Sequence, residues 1–74
     1  MTNQNKPVPD PTWEYAEAWE LIHEAMEIIV DTRKIMGETE TVDKEKNLII
    51  IDLLQKAIEK AVNCRSEVSN IFND

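Results

Sequence analysis

The stretch Trp13–Met36, WEYAEAWELIHEAMEIIVDTRKIM, carries an apolar ladder and an acidic ladder at once, and its reading decides the fold. Tyr15, Trp19, Ile22, Met26, Ile29, Arg33 and Met36 follow one another at alternating spacings of four and three, which keeps side chains on one helical face. Only Arg33 breaks the lane. A second lane, Ala18, Leu21, Ala25, Ile28, Thr32 and Ile35, runs beside the first. At about 100° per residue the combined apolar arc is roughly 160° wide, more than one neighbouring helix covers.

The acidic ladder is Glu14, Glu17, Glu20, Glu24, Glu27 and Asp31, with no Lys or Arg between Trp13 and Thr32 to offset it. Like charges at spacings of three and four cost a few tenths of a kcal/mol each. One reading is a solvated face whose cost is met by packing elsewhere. The other is a surface built for a basic partner, and its residues are then Glu17, Glu20, Glu24, Glu27 and Asp31.

The chain flanks this helix with simple punctuation. Residues 1–9 are polar and then proline-rich without any period, which predicts a disordered or extended tail. Asp10 followed by Pro11 is a helix start: the carboxylate accepts from a free backbone N–H, and proline at the first helical position gives up no paired donor. Arg33 and Lys34 suit the negative end of the macrodipole, and Gly37 suits a left-handed cap, so the first helix is expected over about 11–36. A loop over 37–41 follows, with Thr41 as the better N-cap and Thr39 and Asp43 as alternatives. So short a loop returns the chain antiparallel.

The second helix, about 42–72, repeats the logic with Ile51, Leu54, Ile58, Ala61, Arg65, Val68 and Phe72, flanked by Ile50, Ala57, Cys64 and Ile71. The run Leu48–Ile51 has β propensity, but the 3.5 period continues for three more heptads and no turn signal follows, so helix wins. Folding at the loop sets Ile29 near Ile50 or Ile51, Ile22 near Ile58, Trp19 near Ala61 and Tyr15 near Arg65. Arg65 is then expected to stack on Tyr15 or Trp19 and to pair with Glu14, and Val8 to lie over Ile71 and Phe72.

A domain of 74 residues has difficulty burying enough apolar surface to offset its conformational entropy. The lone Cys64 cannot form an internal disulfide, which leaves oligomerisation as the expected aid and suits a reducing cytosol. No apolar run approaches the ~20 residues of a membrane span, and the N-terminus lacks the regions of a signal peptide, so a cytoplasmic protein is expected. The net charge of −7 argues against nucleic acid and anionic membranes as partners. That acidity is local: residues 1–40 hold only Lys6, Arg33 and Lys34 as cations, whereas Lys44, Lys46, Lys56, Lys60 and Arg65 are interleaved with acids.

Few constellations point to chemistry. Glu20 and His23 form E-x-x-H, a spacing by which bundles hold iron, but such sites need inward ligands from several helices, and Glu20 is expected on the outer face. Cys64 occupies an apolar position far from His23, where a thiol acts as a small hydrophobe. Trp13, Tyr15 and Trp19 suit a stacking platform or a core, with Trp13 off the main stripe. No glycine-rich phosphate loop is present.

Glu24 and Glu27 in E-x-x-E, followed after the loop by Asp52, resemble the motif of all-α nucleotide pyrophosphohydrolases related to MazG. That resemblance covers about half the chain and implies Mg²⁺ held by Glu24, Glu27 and Asp52. The family's remaining glutamate falls on Ile49, so one ligand is missing, and the helical wheel turns these acids away from the shared seam. In architecture alone the hairpin resembles small plasmid-type RNA-binding dimers, and fold does not carry function.

The expectation is an all-α antiparallel two-helix hairpin, residues 10–74, that dimerises into a four-helix bundle. It is expected to be an interaction or regulatory protein without cofactor or catalytic residues, presenting its acidic face to the basic surface of another protein. The alternative is a Mg²⁺-dependent pyrophosphohydrolase or a nucleotide-binding relative with a degenerate metal site.

Overall fold

A computed structural model describes residues 12–71 as two helices, α1 over Ala16–Glu38 and α2 over Lys44–Ile71, packed against each other as a hairpin. The tail, the Asp10–Pro11 start signal and the packing of Val8 and Phe72 lie outside the described residues.

Within them, α1 begins later than expected. Residues 12–15 form turns, with Ala16 N donating to Trp13 O at 3.0 Å, and Tyr15 caps the helix through its backbone alone. The C-terminal end also differs. Gly37 has no positive φ and continues the helix to Glu38, because Thr39 ends it by other means. The Thr39 N–H donates to Met36 O at 3.2 Å and its hydroxyl donates to Ile35 O at 2.7 Å, so carbonyls that a left-handed glycine would have satisfied already have donors. At the start of α2, Asp43 takes the role expected of Thr41, its carboxylate accepting from Glu45 N at 2.9 Å.

The choice of seam is the main correction. Both lanes of α1 have heptad spacing, but it is the second lane that meets α2. Ala18, Ala25 and Thr32 are buried, with Leu21, Ile28 and Ile35 half-buried, and across from them Ala57 is buried among half-buried Ile50, Leu53 and Cys64. Small side chains at the contact allow the helix axes to approach closely, toward the ~8 Å end of the usual range. Thr32 enters this seam without an unmet hydroxyl because its Oγ1 donates to Ile28 O at 2.7 Å.

The first lane, which the sequence sets against α2, is left partly open. Ile22, expected near Ile58, is 39% exposed, with Met26 at 56%, Ile29 at 50% and Ile58 at 55%. Six open-face residues sit four positions after a seam residue: Ile22, Ile29 and Met36 on α1, and Leu54, Ala61 and Val68 on α2. In an antiparallel pair of right-handed helices, the same offset turns both sets to the same side of the hairpin. An apolar groove lined by Trp13, Tyr15, Trp19, Ile22, Cys64 and Val68 accordingly joins the two helices on that side. The thinnest dimension, 11 Å, is that of a single layer of helices. A single layer buries one stripe per helix and cannot enclose a two-sided core.

Candidate functional site

The acidic residues of α1 keep to the flank and side of the hairpin away from the open apolar face. Glu17, Glu20, Glu27 and Asp31 are exposed and Glu24 is half-buried. Their spacing over consecutive turns places Glu17 and Asp31 about 21 Å apart along the helix. Two of the five have partners among the described ion pairs. Lys60 Nζ reaches across from α2 to Glu24 Oε1 at 2.7 Å, and His23 Nε2 lies 3.2 Å from Glu27 Oε2 one turn earlier. For Glu17, Glu20 and Asp31 no cation lies within ion-pair reach among the described residues.

His23 is set by its own helix. Its imidazole stacks on the indole of Trp19, ring centres 5.3 Å apart and planes 2° from parallel, while Glu27 engages the ring nitrogen. That arrangement spends both the ring face and an edge of the histidine on neighbours at four-residue spacings. Glu20, the other member of E-x-x-H, points into solvent with it.

The acids that the resemblance nominates for Mg²⁺ are held apart. Glu24 is engaged by Lys60, and Asp52 by Lys56 at 3.2 Å on the outer flank of α2. Among the described residues no group of three or more His, Cys, Asp or Glu side chains converges. Within one hairpin, Glu24, Glu27 and Asp52 therefore do not form a joint coordination site.

Arg65 departs from the expected contact. Among the described residues it makes no ring or ion-pair contact with Tyr15, Trp19 or Glu14; Tyr15 instead meets Trp13 edge to face, with centroids 5.9 Å apart. Arg65 is exposed on the open side, as is Arg33 on α1. The partner that sequence reasoning missed is Lys60. It follows Ala57 by three, as Leu53 follows Ile50, which puts its ammonium at the margin of the seam opposite Glu24, and that spacing was the available signal.

No described helix is long and apolar enough to cross a membrane. Comparison of the chain with protein-family models, with curated proteins and with solved structures finds no match.

Proposed function

We propose that the chain is a protein-binding module of regulatory or adaptor type, which works as a homodimer and offers the acidic face of α1 to a basic surface on another protein. The observation that carries this reading is the division of the hairpin into two unlike sides. One side exposes Tyr15, Ile22, Met26 and Ile29 of α1 beside Ile51, Leu54, Ile58 and Val68 of α2, a contiguous apolar surface of a size that calls for cover. The other flank exposes Glu17, Glu20, Glu27 and Asp31 to solvent. Carboxylates without local cations present a field that steers a positively charged partner and fixes its orientation.

Cover by a second copy completes a four-helix bundle, the packing that closes a single layer of two helices. The helical face available is about 35 Å by 20 Å, or roughly 700 Å² per copy, close to the ~800 Å² that a stable interface buries on each partner.

The test uses the intact chain and a variant with Glu17, Glu20, Glu27 and Asp31 all replaced by Gln. Both are expected to run as dimers by light scattering at micromolar concentration. Proteins captured by the parent from cell extract at low salt are expected to be lost with the variant and with added salt. A folded monomer, or capture indifferent to the four substitutions, overturns the reading.

A further inference from the structure

Resting on that dimeric reading, we infer how the second copy docks: α1 of each copy lies against α2 of the partner subunit, with both loops at the same end of the bundle. A two-fold axis along the bundle gives this arrangement. A two-fold axis across it would instead set α1 against α1 and α2 against α2, with the loops at opposite ends.

Charge separates the two arrangements. α1 carries Glu17, Glu20, Glu24, Glu27, Asp31 and Glu38 against Arg33 and Lys34, whereas α2 carries five cations, Lys44, Lys46, Lys56, Lys60 and Arg65, against four acids, Glu45, Asp52, Glu59 and Glu67. Like-with-like docking puts two strongly acidic helices side by side at about 10 Å, a spacing comparable to the ~8 Å screening length of physiological salt, so part of their repulsion survives. Cross docking pairs each acidic helix with a slightly basic one and moves the two acidic helices to the diagonal.

Side-chain size separates them in the same direction. The open face of α1 is bulky, with Tyr15, Trp19, Ile22 and Met26 in its first half. At the level of Ile22, read from the Glu24–Lys60 pair, α2 offers Ala61. Cross docking sets Ile22 over the partner subunit's Ala61 and brings the partner subunit's Arg65 over the Trp19 ring, where a guanidinium is favourably placed. Like-with-like docking crowds large residues along α1 and leaves a gap at Ala61 along α2.

The arrangement also decides what the acidic face presents. With α1 helices on the diagonal, the two acidic faces point to opposite sides of the bundle, so one dimer holds two basic partners independently.

The experiment places a single spin label at the loop tip through Glu40→Cys in a Cys64→Ala background and measures the distance between labels in the dimer. Labels less than about 30 Å apart are expected, because both loops share one end. Labels more than about 40 Å apart, near the full ~42 Å length of a 28-residue helix, overturn cross docking and leave the dimer standing. A monomer by light scattering on the same sample overturns both. Should the Cys64→Ala background fail to fold, isotope-filtered NOEs in mixed dimers of the unaltered chain give the answer. Contacts from the Trp19 indole to the partner subunit's Arg65 methylenes support cross docking, and contacts to the partner subunit's Met36 refute it.

Discussion

Glu24 and Lys60, with Oε1 and Nζ 2.7 Å apart, form the one side-chain ion pair that crosses between the helices among the described residues. It marks which turn of α2 lies beside which turn of α1. Both side chains are nearly half exposed, so its contribution to stability is small, at most about 1 kcal/mol. Glu24→Gln is expected to lower the urea midpoint slightly and to remove part of its salt dependence. Exchanging the two residues, Glu24→Lys with Lys60→Glu, should restore much of the loss, and a swapped chain no better than the single variants would show that the pair has no part in register.

Gly37 is expected to be a weak point. It lies inside α1 without a positive φ, and a Cβ placed there meets nothing within 4 Å. Gly37→Ala should therefore stabilise the protein by about 0.5–1 kcal/mol, through the lower entropy of the unfolded chain and better helix propensity. Thermal melts check this, and a lowered melting temperature would restore the left-handed cap read from the sequence.

Ala25 and Ile22 should fail in different ways when altered. Ala25 is 1% exposed, so Ala25→Leu forces the helices apart and is expected to cost about 1–3 kcal/mol. The effect should persist at every protein concentration. Ile22 is 39% exposed in the single hairpin, and under the proposed dimer the second copy covers the remainder. Ile22→Ala is expected to raise the dimer dissociation constant at least tenfold, read by analytical ultracentrifugation, and to lower the melting temperature more as the sample is diluted. A melting loss independent of concentration would return Ile22 to the core of the hairpin.

The acidic residues distinguish a summed field from a coordination site. If the face works by its field, Glu17→Gln and Glu27→Gln weaken partner binding by similar, modest amounts, and salt weakens it strongly. Release of pyrophosphate from nucleoside triphosphates and Mg²⁺ is expected to be nil. Turnover abolished by Glu27→Gln and untouched by Glu17→Gln would instead show individual ligands at work.

Periodicity made the helices, their antiparallel return and the width of the apolar arc legible. It did not say which lane of that arc α2 would take. Tyr15, Trp19 and Ile22 look more like a core than Ala18, Ala25 and Thr32 on any hydrophobicity scale, yet two helices alone pack best where small residues let their backbones approach. Hydrophobicity ranks transfer from water, whereas the seam is selected by shape. The same limit explains Arg65: paired with Tyr15 on the expected seam, it turns out on the open side once the seam moves by one lane. The Gly37 cap was misread because the Thr39 hydroxyl, four residues past Ile35, meets a carbonyl that the glycine reading left without a donor. The exposure of Glu17, Glu20, Glu27 and Asp31, by contrast, follows from their spacing alone, whereas the pairing of Glu24 with Lys60 does not.

The seam of Ala18, Ala25, Thr32 and Ala57 also sets a timetable. Alanine has no rotamers to lose and threonine few, so zipping the two helices from the loop fixes little more than backbone, and closure of such local contacts belongs to the microsecond range. The long, exposed side chains Met26 and Met36 keep more of their rotamers in the single hairpin and have that entropy still to lose on meeting another surface. Under the proposed dimer, a freshly made chain reaches its hairpin almost at once and waits, at a rate set by its own abundance, for the step that locks it.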